Sequence, residues 1–271
     1  MPASSLANGA FARRGVEPEE RRPALLLALF LLLGMATVIC LKAVSDSVFL
    51  SEFDARRLPY VDLAVTLLVA VAVRYYLLLV RRMPLASLIR ATQLFLVGNL
   101  TVFWLLLAVE PRLAGPAIYV WVGVFAVLIP SQIWSLAGVV FDTRQAKRLF
   151  SLIGSGGILG AALGGSFTGL VGDPERVLPA TVGFVALSAW IADRLGRESN
   201  AVRPSEAAGD GEGEPLIETW RLTRASRYLT WIAIALFLST VVSTLVKYEF
   251  KSIAQDTFAG DREALTSFSG Y

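Results

Sequence analysis

Long apolar runs constrain this sequence more than any other feature. Each run has about the ~20-residue length that lets an α-helix cross the hydrocarbon core of a bilayer. The chain has 271 residues, of which 55% are hydrophobic and only 17% are charged, so more apolar surface is present than one soluble core needs to bury. The sequence therefore predicts an all-α, polytopic membrane protein. The predicted spans are 23–50, 58–80, 88–109, 116–140, 150–172, 177–194 and 228–250.

Basic residues between the runs predict the orientation of the spans. With a cytoplasmic N-terminus, sixteen of the 25 Lys and Arg residues lie on the cytoplasmic side and seven on the other, in agreement with the positive-inside rule. The remaining two, Lys42 and Arg74, lie within spans. No small-residue cleavage site follows the first run, so we interpret it as a retained span and not as a signal peptide. Orientation signals also explain the modest net charge of +3 better than nucleic acid binding does.

Composition divides the chain into four parts. We expect a cytoplasmic tail at 1–22, a six-helix transmembrane bundle at 23–194, a cytoplasmic linker at 195–227, and a seventh helix within 228–271. The linker ends in an amphipathic segment, which is either a surface helix or the start of the seventh span. A long linker after six helices is typical of the midpoint of transporters built from two six-helix halves. We therefore expect a fragment that lacks its C-terminal half; a genuine seven-helix protein is the alternative.

The segment FDTRQAKRLFSLIGSGGILGAALGG, residues 141–165, is rich in glycine. It is not a phosphate-binding loop, because no strand is predicted before the glycines and no lysine follows them. Gly156, Gly160 and Gly164 recur every four residues, so one helix face carries no side chains and another helix can approach it closely. Such a contact serves either two helices that rock against each other or static packing, and the sequence does not separate these.

The charged start of the same segment has two interpretations. Asp142, Arg144, Lys147 and Arg148 lie in a predicted short cytoplasmic loop. As an orientation signal this loop needs no further role. Alternatively, its charges form a gate of salt bridges at the cytoplasmic face or attract an anionic substrate.

Charged residues inside the spans are the candidate substrate site. Lys42 and Asp46 stand four residues apart, so on a helix they share one face and can neutralise each other. A charge in the hydrocarbon zone usually faces a cavity or a partner. The alternative is that the first span ends near Leu41 and both groups reach the headgroups. Arg74 either faces the same cavity or extends to the membrane surface.

Other polar residues contribute less to the prediction. Asn99, Ser131 and Gln132 are expected to form hydrogen bonds between helices. Cys40 is the only cysteine, so no intrachain disulfide is possible. The chain has no histidine, and no acidic cluster has metal-ligand spacing. We therefore predict neither an enzyme nor a metal or other cofactor.

Three segments resemble a known transporter family. LKAVSDSVFLSEFDARRLPY, then FDTRQAKRLFSLIGSGGILGAALGG, then TLVKYEFKSIAQDTFAGDREALTSFSGY resemble, in order and spacing, the bacterial and plastid ATP/ADP translocases and their bacterial relatives, which are similar to the major facilitator superfamily. The resemblance extends from Pro23 to the end of the chain. It implies a twelve-helix carrier of a bacterial inner membrane that exchanges ATP for ADP by alternating access around a cationic cavity.

The resemblance also implies roles for single residues. Lys42 and Asp46 match the charged part of the first-helix motif, and Lys251 matches the lysine that closes the seventh-helix motif. Family nucleotide exchangers tend to carry a lysine where this chain has Ser45, so one expected phosphate partner is missing. We therefore expect a secondary transporter for nucleotides or another organic anion. The alternatives are a membrane sensor or scaffold that anchors a downstream soluble domain and, less favoured, an integral membrane enzyme.

Overall fold

The structure is a computed structural model that describes residues 18–80, 82–83, 85–198, 226–258 and 261–270. Within these ranges every regular element is helical. The helices are α1 (Pro18–Glu52), α2 (Leu58–Val80), α3 (Leu85–Val109), α4 (Pro111–Val140), α5 (Thr143–Val171), α6 (Pro174–Glu198), α7 (Arg227–Phe258) and α8 (Arg262–Gly270), with a 3-10 turn at Ala55–Arg57. Residues 1–17 of the predicted tail and most of the predicted linker, including the amphipathic segment up to residue 225, lie outside the described residues. The remaining tail residues, 18–22, are helical and begin α1, so this helix starts earlier than the predicted span.

Helices α1 to α7 confirm the predicted polytopic, all-α architecture. Among the described residues, these seven helices are long and apolar enough to cross a membrane. Short connections join α1 through α6, so consecutive helices run in opposite directions. Two ion pairs mark the ends of the bundle: Arg112 lies 3.3 Å from Glu52, and Arg148 lies 3.2 Å from Glu20. We call these the Glu52 end and the Glu20 end.

The fifth helix begins earlier than the sequence predicts. The segment from Thr143 to Leu149 was expected to be a loop but forms the first turns of α5. Its helical start has a local cause: Asp142 is the N-cap, and its backbone N–H donates to the Gln145 side-chain oxygen at 3.0 Å. The helix ends at Gly172, whose φ of 69° lies in the left-handed region that glycine adopts without strain.

Helix α1 forms the centre of the bundle. It packs against α4, α5, α6 and α8, and most of its side chains between Leu27 and Leu50 are buried. Its sequence is apolar on all sides over most of its length, as expected of a helix that has neighbours all round. The main apolar core therefore surrounds α1.

The glycines of α5 lie directly against the backbone of α1. A Cβ atom added at Gly156, Gly160 or Gly164 would overlap a backbone carbonyl oxygen of α1, at Ala28, Leu32 or Ala36 respectively. The contacts repeat every four residues on both helices, so the two backbones touch over slightly more than two turns. The thiol of Cys40 extends this contact by donating to the Gly164 carbonyl oxygen at 3.3 Å.

Three buried polar side chains link α3, α4 and α6 through hydrogen bonds. Gln93 of α3 donates to Gln132 of α4 at 3.4 Å, and Ser188 of α6 donates to Gln93 at 3.3 Å. Gln132 therefore forms the helix-to-helix hydrogen bond that its sequence position predicted. Asn99 and Ser131 do not, because each donates to a carbonyl oxygen four residues earlier in its own helix.

Helices α7 and α8 join the bundle at its Glu52 end. All residues of α7 from Trp231 to Lys247 are exposed within the described part of the chain, whereas Ala254 is buried against the bundle. Helix α8 packs on α1 and α5. Phe268 of α8 stacks on Phe250 and contacts Phe258 of α7, each at 5.1 Å between ring centroids, so α8 contacts the end of α7 as well as α1 and α5.

We predict that Gly160→Ala lowers the melting temperature of the detergent-solubilised protein, because the new methyl group overlaps the Leu32 carbonyl and overpacking costs about 1–3 kcal/mol. Gly154→Ala is the matched control on the same helix. A Cβ there meets nothing within 4 Å, and alanine favours a helix over glycine by roughly 1 kcal/mol. Thermal unfolding of both variants tests the contact, and equal shifts would contradict it.

Candidate functional site

A cavity of about 730 Å³ lies between α1, α2, α4 and α7, towards the Glu52 end. Its volume is in the range of ~300–1,000 Å³ that is typical of small-molecule sites. Its charged lining residues come from three helices: Lys42 and Asp46 from α1, Asp62 from α2, and Lys247 and Lys251 from α7. All of them belong to helices that are apolar enough to cross a membrane. The cavity is therefore a place where charges from three of these helices converge.

Lys251 is the centre of the hydrogen bonds in this cavity. Its ammonium donates to an Asp46 carboxylate oxygen at 2.8 Å and to the Tyr119 hydroxyl at 3.0 Å. Tyr119 in turn donates to Asp62 at 2.9 Å. The ammonium also lies 4.9 Å from the centroid of the Tyr119 ring, which is within cation–π range. One chain of contacts thus connects α1, α7, α4 and α2.

The Lys251–Asp46 ion pair is largely shielded from solvent. The two side chains are 15% and 12% exposed. In such surroundings the attraction between opposite charges is strong, but removing either partner leaves a charge whose desolvation is not compensated. The pair therefore holds α7 against α1 as long as both groups are charged.

Lys42 and Lys247 lack such a partner among the described residues. Both line the cavity, and neither makes an ion pair within the part of the chain that the structure describes. The sequence suggested that Lys42 neutralises Asp46, but Asp46 binds Lys251 instead. Three lysines and two aspartates leave the described lining with a net charge of +1. Ser45 does not belong to this lining; its hydroxyl donates to the Lys42 carbonyl oxygen at 2.9 Å.

Polar and apolar contacts close the Glu52 end beside the cavity. The Gln255 side-chain amide of α7 donates to the carbonyl oxygens of Leu50 and Phe53, each at 2.7 Å. The Leu50 carbonyl is among the last four of α1, which lack a partner in their own helix, and Phe53 directly follows the end of α1. Thr266 of α8 donates to Ser47 at 2.7 Å. A small apolar cluster completes the closure, formed by Phe49, Leu50, Leu58, Tyr119, Ala254 and Leu265.

The structure does not bring Arg74 to the cavity. Arg74 is exposed on α2 and is not among the residues that line the cavity. The residues of the predicted gate lie at the Glu20 end, away from the cavity. Asp142 caps α5, Lys147 is exposed, and Arg148 binds Glu20 of α1 at 3.2 Å. The side chain of Arg144 lies outside the described residues. The Arg148–Glu20 pair joins two helices of the same bundle.

Sequence reasoning missed Asp62 and Tyr119. Asp62 could have been identified from the sequence, because it is a carboxylate within the apolar segment LPYVDLAVTLL. A charge in such a segment usually faces a partner or a cavity. Tyr119 gave no such signal, because tyrosine is common near the ends of membrane spans. Its role follows from the position of its hydroxyl between Lys251 and Asp62.

No known protein indicates what this cavity binds. Comparisons of the chain with models of protein families, with curated proteins and with solved structures found no match. Within the described residues, no group of three or more His, Cys, Asp or Glu side chains is arranged to hold a metal ion.

We predict a strong energetic coupling between Asp46 and Lys251. Asp46→Asn alone leaves the shielded Lys251 ammonium without its ion-pair partner, and such a loss costs about 3–5 kcal/mol. Lys251→Met alone should cost less, because Lys42 lies four residues from Asp46 on the same helix and can pair with it. The double variant removes both charges and should regain much of the lost stability. Thermal unfolding of the wild type, both single variants and the double variant measures this coupling.

Arg112→Met is the control for this comparison. Arg112 pairs with Glu52 at the same end of the bundle, but its side chain is 80% exposed, and such pairs contribute only about 0–1 kcal/mol. Strictly additive effects of the two buried substitutions would contradict the coupling.

Proposed function

We propose that this chain is part of a secondary transporter that carries an organic anion across a membrane and binds it in the cavity between α1, α2, α4 and α7. One observation carries the proposal: five charged side chains from spanning helices line a single cavity. Charges at membrane depth are costly and commonly mark a substrate or ion pathway. A purely structural protein would not need this concentration of them.

The charges of the lining favour an anion. Lys42 and Lys247 have no ion-pair partner among the described residues, whereas Asp46 is already bound by Lys251 and Asp62 accepts from Tyr119. A negatively charged group between the two lysines gains two ionic hydrogen-bond donors without breaking an existing ion pair. The three lysines and the net charge of +1 of the lining would oppose the binding of a cation.

ATP and ADP are the first substrates to test, because they follow from the resemblance of the sequence. Their phosphates suit lysine donors, which bind phosphate as point charges. ATP carries more negative charge than the described lining offsets, so nucleotide transport requires further positive groups elsewhere in the transport pathway. A smaller organic anion needs fewer of them.

The closure of one end supports transport by alternating access. At the Glu52 end, α7 and α8 contact α1 and contribute to the apolar cluster. Towards its other end α7 is exposed from Trp231 to Lys247 within the described part of the chain. Movement of both α7 and α8 away from α1 would open the closed end. With the predicted cytoplasmic N-terminus, the Glu52 end faces outwards.

Transport is tested with proteoliposomes that contain the full-length protein. We expect uptake of labelled ATP, ADP or another organic anion in exchange for the same anion inside. Lys42→Met and Lys247→Met should each reduce uptake at low substrate concentration at least about tenfold, the effect of losing roughly 1.4 kcal/mol of binding.

Arg74→Met is the matched control, because it also removes one positive charge from a spanning helix but leaves the cavity lining intact. Its uptake should stay close to that of the wild type. Absence of transport for all anions, or equal losses in all three variants, would contradict the proposal.

A further inference from the structure

Asp46 has a second lysine within reach on its own helix. Lys42 precedes it by four residues, and residues at this spacing are neighbours on a helix surface. Both side chains line the same cavity. In the structure, however, Asp46 binds Lys251 of α7, and Lys42 has no ion-pair partner among the described residues. Asp46 therefore has one partner across the helix interface and one potential partner within α1.

The second lysine matters when the Glu52 end opens. If α7 moves away from α1, Lys251 leaves with it and Asp46 loses its partner. An unpaired carboxylate in these surroundings would oppose the movement strongly. Lys42 can remove this obstacle by a change of side-chain rotamer alone, since it is fixed to the same helix and does not depend on the position of α7.

We infer that Asp46 exchanges partners during transport, from Lys251 of α7 when the Glu52 end is closed to Lys42 of α1 when it is open. The inference rests on the proposed function, because it assumes that the closed end opens. The exchange keeps Asp46 paired in both arrangements. It also releases the Lys251 ammonium, which then becomes available to the anion in the cavity.

A cysteine pair between α1 and α8 can report whether the Glu52 end is closed. Ser47 follows Asp46 in α1, and its hydroxyl oxygen lies 2.7 Å from that of Thr266 in α8. Helix α8 packs with the end of α7 through Phe250, Phe258 and Phe268. A Ser47→Cys/Thr266→Cys pair should therefore form a disulfide when the Glu52 end is closed and not when it is open. Cys40→Ala removes the only native thiol.

The experiment measures the rate of disulfide formation in this reporter background, in the full-length protein in lipid and without substrate. Lys42→Met should raise the rate several-fold, because the open state loses the second partner of Asp46. Lys251→Met should lower it, because the closed state loses the interhelical pair. Lys42→Arg keeps the charge and should match the parent.

A double-mutant cycle separates partner exchange from simple charge repulsion between Lys42 and the lysines of α7. If Lys42 acts through Asp46, Lys42→Met has no effect once Asp46→Asn is present. If Lys42→Met raises the rate of disulfide formation equally in the Asp46→Asn background, the inference is overturned. It is also overturned if the reporter variant without further substitutions forms no disulfide. Monodisperse elution of every variant shows that it is folded.

The outcome is independent of the transport assay. A protein that transports an anion but shows no Lys42 effect on the disulfide would overturn the partner exchange and leave the proposed function standing. A protein that shows the full cycle but transports none of the anions would overturn the proposed function and leave only the exchange of partners on opening of the Glu52 end.

Discussion

Direct contact between the backbones of α1 and α5 is the constraint on which the rest of the bundle depends. No side chain separates the two helices at Gly156, Gly160 and Gly164. This contact keeps α1 in the centre, where α4, α6 and α8 complete its surroundings. The last third of α1 carries Asp46 and Ser47, which are both buried, so the central position of the helix also brings polar groups into the interior of the bundle.

The cavity follows from this arrangement and from the cost of charge in a membrane. Asp46 faces inwards and has to be paired. Lys251 supplies the opposite charge from α7, and Tyr119 connects this pair to Asp62 of α2. The ion pair therefore stabilises the interface with a helix that otherwise makes few contacts with the described bundle. In the proposed transport cycle, such a pair would couple substrate binding in the cavity to the contact between α7 and α1.

Much of the candidate site was predictable from local sequence, but its pairing was not. Lys42 and Asp46 stood out because charges are rare in apolar runs, and Lys251 stood out through its motif. Spacing of four suggested that Lys42 would neutralise Asp46, yet the lysine from α7 does so in the structure. Arg74 met the same criterion as Lys42 but lies on an exposed face of α2. Hydropathy identifies a charge in a span, whereas its partner depends on which helix is next to it.

The sequence by itself determined the number and approximate positions of the spanning helices and the smooth face of α5. These features depend on local hydrophobicity and on the four-residue period of small side chains, both of which are properties of single segments. Only the tertiary structure decided that α1 is central, that Lys251 binds Asp46, and that Asp62 and Tyr119 belong to the same cavity. Contacts such as Lys251 with Asp46 join residues more than 200 positions apart, and no local pattern encodes them, because they arise from the packing of whole helices.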